Sequence, residues 1–331
     1  MKRREVIKLL GGAAAAWPVA TRAQQPGGMR RIGMLVAFDK SDLAGLARVG
    51  AFRERLRKLG WTEGTNIGFD MRSATPGDAQ SLERFAKELV ALQPNLILSH
   101  STPTTAALLR HTRTIPIVFA AASDPIGSGF VASFPRPGGN VTGFVVTETT
   151  MAGKWLDVLK QIAPRTAWVT LLFNPATAPY ADKYLDALKA AAASFAMQAI
   201  TAPAHDLSEL ESILAAQARV PNGSLVVMPD VFTTGHRVEI TSLAARYRLP
   251  AVYPFRVFAE VGGLLSYGND LVESWRLAAT YADRILKGAN VSDLPVQAPV
   301  KFELVINLKA AKALGLDVPA QLQQIADEVI E

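Results

Sequence analysis

The residues of this sequence that are best suited to chemistry include a group of hydroxyls at the end of an apolar segment. Ser101, Thr102, Thr104 and Thr105 follow the apolar run at 95–99 and precede a stretch with helical spacing. Hydroxyls and unpaired backbone N–H groups at the start of a helix favour an anion such as a carboxylate, although ordinary helix capping uses the same residues. We predict that this turn contacts the anionic group of a ligand.

Carboxylates occupy comparable positions in three other places. Asp124, Asp230 and Asp270 each come at the end of an apolar segment. Each of them could serve only as a helix cap, but three carboxylates around one cleft favour binding. We therefore expect Asp124 and Asp230 to accept a hydrogen bond from an amine or a hydroxyl of a ligand.

Aromatic residues at similar positions are candidates for the walls of a binding site. They are Phe38, Tyr180, Tyr253, Phe255 and Tyr267. Aromatic side chains offer a large apolar surface with a polar tip in tyrosine, which suits an organic ligand, and they suit a protein core equally well. We expect Tyr180, Tyr253 and Tyr267 to flank the body of the ligand.

Residues for catalysis or metal binding follow no recognised pattern. No Gly-x-Ser-x-Gly motif occurs, the chain has no cysteine, and its four histidines are scattered at positions 100, 111, 205 and 236. His100 ends a predicted strand, where it could act as a base or simply line a cleft. No histidine has a partner at a spacing typical of metal ligands. The sequence therefore predicts neither an enzyme nor a metal site.

One glycine-rich stretch has the outline of a dinucleotide-binding turn. Residues 127–132 read Gly-Ser-Gly-Phe-Val-Ala and follow a predicted strand. That strand is the fourth and not the first, its end lies seven residues before Gly127, and the acidic residue at the expected distance is Glu148, in the predicted hinge. We interpret the stretch as the start of an ordinary helix, and we predict no cofactor.

The first 23 residues have the composition of an export signal. Lys2, Arg3 and Arg4 precede a short apolar run at 9–20, and Ala23 ends a small-residue cleavage site. The paired arginines fit the twin-arginine export pattern, with an ordinary secretory signal as the alternative. Because five basic residues and one acidic residue lie in 1–23, cleavage lowers the formal charge from +6 to about +2. That charge gives no reason to expect nucleic acid as a partner.

Short apolar segments alternate with helical patterns from residue 30 onward, which predicts parallel sheets covered by helices. The first half has predicted strands at 31–37, 66–72, 95–99 and 115–120 and helices at 43–59, 79–91 and 102–113, followed by an extended stretch at 141–147. The second half has predicted strands at 166–173, 198–202, 224–228, 250–253 and 264–267 and helices at 180–196, 207–218, 236–247 and 271–287. The sequence therefore predicts an α/β protein with two doubly wound halves, whose polar strand ends surround one cleft.

Several segments resemble one protein family in their order along the chain. They include RIGMLVA at 31–37, TLLFNPATAPY at 170–180, LPAVYPFR at 249–256, GGLLSYGNDL at 262–271 and the stretch from 295 to 316. These segments are similar to those of the substrate-binding components of ABC importers, in the subgroup whose better-known members bind aromatic amino acids. The resemblance covers nearly all of residues 30–331.

The resemblance implies a type I periplasmic-binding fold, in which two doubly wound parallel-sheet lobes are joined by a three-stranded hinge and close on a ligand. The N-terminal lobe would comprise 30–145 and about 268–296, and the C-terminal lobe 146–267 and about 297–331. The chain would cross between the lobes near Val145, Gly268 and Gln297.

The resemblance also implies which turns contact the ligand. They are Ser101–Thr104, Ser123 with Asp124, Asn174, Asp230, and Tyr267–Asp270. The implied function is capture of a small organic solute, an amino acid or a related carboxylate, for the transmembrane subunits of an ABC permease. The chain would act as a monomer in the periplasm. A periplasmic sensing module that docks on a membrane receptor and an exported hydrolase remain the alternatives.

Overall fold

The chain folds around two separate β-sheets in the computed structural model, which describes residues 28–331. The export signal predicted at 1–23 lies outside the described residues. The first sheet and its helices come in the order β1 Arg30–Ala37, α1 Leu43–Lys58, β2 Ile67–Ala74, α2 Ala79–Ala91, β3 Leu96–Ser101, α3 Thr102–His111, β4 Ile117–Ala122 and β5 Val141–Val145. Its five strands are parallel and lie in the order β2-β1-β3-β4-β5.

The second sheet has seven strands in the order β12-β11-β10-β9-β8-β6-β7. Only the pair β10 and β11 is antiparallel. The elements from residue 151 onward are α4 Met151–Ile162, β6 Trp168–Phe173, α5 Ala181–Ser194, β7 Gln198–Pro203, α6 Leu207–Gln217, β8 Gly223–Val227, α7 Val231–Gly235, α8 Arg237–Arg246, β9 Ala251–Tyr253, α9 Arg256–Glu260, β10 Leu265–Asn269, α10 Leu271–Leu286, a 3₁₀ turn at Val291–Asp293, β11 Phe302–Asn307, α11 Leu308–Leu314, α12 Ala320–Ile325 and β12 Glu328–Ile330.

Aspartates begin several of these helices and fix where each one starts. Asp78 accepts a hydrogen bond from the Ser81 N–H at 3.0 Å, and Asp270 accepts one from the Val272 N–H at 2.7 Å. Such a side chain satisfies a backbone donor that the first helical turn leaves without a partner. The caps hold the starts of α2 and α10 at defined points beyond the strands that precede them.

Helix α10 belongs to the first sheet although it follows β10 of the second. Its Trp275 is fully buried and lies edge-on to Phe52 of α1, with ring centroids 6.5 Å apart. The chain therefore connects the two sheets three times, after β5, after β10 and before β11. At the third connection Gln297 accepts a hydrogen bond from the Val145 N–H at 2.9 Å. The division into two independent lobes at these connections stays a prediction.

The two helix-covered sheets confirm the predicted α/β class, and several local predictions were wrong or incomplete, among them the unpredicted short helices α7 and α9. Residues 124–130 form turns and not the start of a helix. The helix α4 was missed, although its buried Trp155, Leu159 and Ile162 recur at helical spacing. The last helices and strands, from β11 to β12, were also missed, because these short segments lack a strong periodic pattern.

Candidate functional site

A cavity lies between the ends of the two sheets. Residues from both halves of the chain line it, including Phe38, Asp42, Arg48, His100, Ser101, Thr102, Val146, Tyr180, Asp230, Thr234, Phe255 and Leu271. The cavity follows the general rule that ligands of open α/β sheets bind beyond the carboxyl ends of the strands.

Arg48, in the second turn of α1, brings a positive charge to this cavity. Its side chain is only 3% exposed, and burial lowers its pKa to about 10, so that it is charged at neutral pH. The guanidinium donates from Nε to the Ala44 carbonyl at 3.1 Å, while Nη2 lies 3.7 Å from Asp42 Oδ2. That last distance is too long for a good charge-assisted hydrogen bond.

His100 gives Arg48 no firm hydrogen-bond partner either. The imidazole Nδ1 lies 3.2 Å from the Ala37 N–H, and Nε2 lies 3.2 Å from Arg48 Nη1. Burial, together with the Arg48 charge, lowers the pKa of His100 well below its usual value, so the ring is neutral. A neutral imidazole has one acceptor nitrogen, and both of its neighbours are donors. Arg48 and Ala37 therefore compete for one acceptor, which leaves guanidinium donors free for a ligand.

Asp230 brings a negative charge to the cavity from the other half of the chain. It begins α7 and is 3% exposed. Its Oδ1 accepts from the Phe232 N–H at 2.8 Å and from the Thr177 hydroxyl at 2.5 Å, whereas Oδ2 accepts only from the Asn174 N–H at 2.8 Å. Burial outweighs these hydrogen bonds and raises the pKa of Asp230 to about 6. Oδ2 keeps the capacity to accept one more hydrogen bond.

The hydroxyls at the start of α3 are largely engaged within the protein. Thr104 and Thr105 bond to Ser99 at 2.7 and 2.8 Å and do not line the cavity. The Thr102 hydroxyl donates to the Ser123 carbonyl at 3.0 Å and accepts from the Ser123 N–H at 2.8 Å. The predicted turn therefore reaches the cavity through Ser101 and Thr102 and not through Thr104, because side-chain hydroxyls in such turns bond to nearby backbone and hydroxyl groups.

Four other predicted ligand contacts lie outside the lining of the cavity. Asn174 positions Asp230 through its N–H, and Asp270 caps α10. Asp124 forms an ion pair with Lys183 of α5 at 2.6 Å, and this contact joins the two halves of the chain. The Ser123 hydroxyl is buried and makes no hydrogen bond to any residue of 28–331.

The predicted aromatic walls divide between the cavity and the cores. Phe38, Tyr180 and Phe255 line the cavity, and the Tyr180 hydroxyl donates to the Pro229 carbonyl at 2.7 Å. The other two do not reach it. Tyr253 stacks on Phe258 in a core with ring centroids 5.0 Å apart, and Tyr267 stacks on Phe302 at 6.1 Å.

The sequence analysis missed the residues on α1 that line the cavity, Asp42 and Arg48. A signal was present, because Arg48 lies on the same face of α1 as the buried Val49, Phe52 and Leu56. An arginine on the buried face of a helix requires a partner or a ligand.

Two further contacts hold the halves of the chain together around the cavity. Arg237 of α8 donates to Asp42 Oδ1 at 2.7 Å. Gly235 packs so closely on Pro76 that a Cβ atom there would lie 2.5 Å from Pro76 Cγ. Together with Asp124 and Lys183, these contacts describe a structure whose two halves meet across the cavity.

The described residues 28–331 have neither a metal-ligand cluster nor a membrane-spanning helix. They contain no group of three or more histidine, cysteine, aspartate or glutamate side chains that could hold a metal ion. No helix there has the length and apolar character needed to cross a membrane.

Comparison with known proteins gives consistent likenesses over nearly the whole chain. Residues 36–330 match the family described as ABC transporter substrate binding protein. A curated tyrosine-binding protein of Clostridioides difficile is 26% identical over 274 residues, which covers 80% of this chain and 75% of that protein.

Solved structures show the same architecture. A domain from Streptococcus pneumoniae in complex with L-Trp is 23% identical with a TM-score of 0.84, covering 92% of this chain and 100% of that one. A conserved domain protein from Vibrio cholerae is 26% identical with a TM-score of 0.85, covering 91% and 99%. A ligand-free, open substrate binding protein from Clostridium difficile is 24% identical with a TM-score of 0.68, covering 91% and 99%.

Proposed function

The chain belongs to the family of ABC transporter substrate binding proteins, and from this premise we propose that its substrate is an α-amino acid with an apolar side chain, held as the zwitterion between Arg48 and Asp230. Membership of the family confirms the predicted role of a binding protein and not an enzyme, whose partners are a small molecule and the transporter's permease. The likeness to solved structures confirms the predicted periplasmic-binding architecture.

One observation carries the choice of ligand class. Arg48 and Asp230 line one cavity from opposite halves of the chain. Among residues 28–331 Asp230 forms no ion pair, and Arg48 has only a long ion-pair contact of 3.7 Å with Asp42. Asp42 is the nearest carboxylate to Arg48, but it is bound more closely by Arg237. Because an unpaired buried charge is costly, a ligand that carries one cation and one anion complements the site.

Each end of an amino acid has a suitable partner in this arrangement. The carboxylate would accept hydrogen bonds from Arg48 and from the Thr102 N–H at the start of α3, where the helix dipole favours an anion. The ammonium would donate to Asp230 Oδ2. Phe38, Phe255 and Leu271 would contact the side chain.

Two relatives support a substrate with an aromatic side chain. The curated relative from Clostridioides difficile carries the name tyrosine-binding protein, and the structure from Streptococcus pneumoniae holds L-Trp. Phe38 and Phe255 can offer an aromatic ring an edge or an offset face. We therefore place L-tyrosine and L-tryptophan first among the candidate substrates.

The cellular setting belongs to the same proposal. Proteins of this family act outside the cytoplasm. We propose that residues 1–23 direct export, that cleavage occurs near Ala23, and that the mature chain works in the periplasm as a monomer.

A thermal-shift experiment on the mature chain tests the ligand class. The protein is unfolded and refolded to remove any bound ligand, and its melting temperature is measured against L-tyrosine, L-tryptophan, L-leucine, tyramine and 3-(4-hydroxyphenyl)propionate. We expect a saturable rise for an amino acid and a much smaller rise for tyramine, which lacks the carboxylate, and for the propionate, which lacks the amine.

Two variants make the test specific to the proposed contacts. Arg48→Gln should weaken amino-acid binding by at least about tenfold, because it removes a buried charge-assisted contact. Lys183→Gln removes an ion pair outside the cavity lining and serves as the control. Equal stabilisation of the wild-type protein by tyramine and L-tyrosine would refute the assignment of the carboxylate to Arg48.

A further inference from the structure

We propose that Asp42 couples substrate binding to closure of the two halves by exchanging its ion-pair partner between Arg48 and Arg237. The inference rests on the proposed function, because a substrate carboxylate at Arg48 triggers the exchange. Without substrate, Asp42 pairs with Arg48. With substrate, Arg48 binds the substrate carboxylate, and Asp42 becomes available to Arg237.

The observed contacts are those of the closed, exchanged arrangement. Asp42 Oδ1 lies 2.7 Å from Arg237 Nη2, while Asp42 Oδ2 lies 3.7 Å from Arg48 Nη2. All three side chains are largely buried, with 9%, 4% and 17% of the side chains of Asp42, Arg48 and Arg237 exposed. One carboxylate therefore stands between two guanidinium groups and makes a close contact with only one of them.

The net charge of this cluster explains why a second anion is needed. Asp42, Arg48 and Arg237 sum to one positive charge, and the neighbouring His100 is neutral. Burying an uncompensated charge costs several kcal/mol per ion in general, so closing the cluster without a further anion is disfavoured. A substrate carboxylate beside Arg48 would make the closed cluster neutral.

The topology makes one of the two ion pairs independent of closure. Asp42 begins α1 and Arg48 lies on the same helix, so these two side chains stay within reach of each other whatever the second half does. Arg237 belongs to α8 of the second half, where its Nη1 donates to the Thr234 carbonyl at 3.1 Å. Of these two ion pairs, only the one between Asp42 and Arg237 is lost when the halves separate.

The arrangement would also make closure selective. A ligand without a carboxylate leaves Arg48 paired with Asp42. Arg237 then has no ion-pair partner, and the closed state is stabilised little. Closure under ligand control requires interactions that differ between the two states, and the ion pair of Asp42 with Arg237 is such an interaction. Asp42 and Arg237 are thus positioning residues that act through Arg48 and through the contact between the halves.

Small-angle scattering of the ligand-free protein tests the exchange without any substrate. In Arg48→Gln the competitor for Asp42 is removed, so we expect a smaller radius of gyration than in the ligand-free wild type. Adding Arg237→Gln should restore the larger wild-type value. Adding Lys183→Gln in its place should leave the radius of gyration small. The half-exposed ion pair of Lys183 with Asp124 contributes little to the stability of the closed state and does not involve Asp42.

Each outcome has one meaning. No decrease in the radius of gyration of Arg48→Gln, or a decrease that persists in the double variant Arg48→Gln/Arg237→Gln, would overturn the proposal. Calorimetry adds a readout that does not need Arg48→Gln to fold: Arg237→Gln alone should weaken L-tyrosine binding by about tenfold, and unchanged affinity would also overturn it. Failure of the wild-type protein to bind any amino acid would refute the proposed function and leave the scattering comparison valid.

Discussion

At the scale of single residues, Asp230 makes substrate binding sensitive to pH. Burial raises its pKa to about 6 in the ligand-free protein, and an adjacent ammonium group stabilises the ionised form. Substrate binding therefore displaces a proton at any pH below about 6, and each displaced proton weakens the affinity. His100 stays neutral in this range because its pKa is lowered, and Arg48 stays charged.

We predict that affinity for the amino acid is constant above about pH 7 and falls by up to tenfold per pH unit below about pH 6. Asp230→Asn should bind more weakly at pH 7 and lose this dependence. Titration calorimetry of both proteins from pH 5 to pH 8 measures this pH dependence of the affinity. Parallel pH profiles for the wild type and Asp230→Asn would show that the ammonium is bound elsewhere.

The sequence could predict some of these residues and not others. Asp230 was predicted because strand ends in open α/β sheets point to the ligand crevice. The anion partner was assigned to the hydroxyls of 101–105, and the structure instead brings Arg48 into the cavity. The hydroxyls form hydrogen bonds with nearby residues and are not free for a ligand. The burial of Arg48 depends on helices and strands that are far apart in the sequence, so the sequence alone does not reveal it.

At the scale of elements, Gly143 shows how β5 closes the first sheet. This residue has φ +151°, and a Cβ atom would lie 2.1 Å from the Phe119 carbonyl oxygen of the neighbouring strand β4. Its carbonyl also accepts a hydrogen bond from the Gln297 N–H at 2.9 Å. A side chain at this position would separate β5 from β4 and from the third connection between the sheets.

We predict that Gly143→Ala lowers the free energy of unfolding by about 1–3 kcal/mol or more, because it introduces a clash with backbone atoms. Gly50→Ala is the matched control, since Gly50 is exposed in α1 and a Cβ there meets no atom within 4 Å. The control should raise stability by up to about 1 kcal/mol through helix propensity. Urea unfolding of both variants measures the difference, and equal midpoints would contradict the role of Gly143.

Regular elements could be predicted better than irregular ones. The predicted strands and helices of the first half were found in the predicted order, and α2 was predicted to the residue at Ala79–Ala91. The antiparallel strand β11 was missed because the residues at 302–307 do not reveal that they pair antiparallel with β10. Such pairing leaves no local periodicity in the sequence.

At the scale of the whole molecule, the two halves meet across the cavity through charged and close-packed contacts. Asp42 with Arg237 and Asp124 with Lys183 join them, and Gly235 packs on Pro76. These contacts support an arrangement in which the substrate would be enclosed.

The size of the cavity could not be predicted from the sequence, because it depends on how far the two halves close. The strand ends that line it are separated by more than a hundred residues along the chain, from Phe38 to Asp230. Side chains such as Tyr253 were assigned to the wall although they lie in a core. Whether such a side chain lies in the wall of the cavity or in a core depends on the relative position of the two sheets.

The measurement that tests the central claim most directly is a crystal structure of the refolded protein grown with L-tyrosine or L-tryptophan. We predict that the substrate carboxylate lies within hydrogen-bond distance of the Arg48 guanidinium and that its ammonium lies within the same distance of Asp230 Oδ2. A substrate bound in the reverse orientation, or bound outside the cavity between the two sheets, would contradict the account.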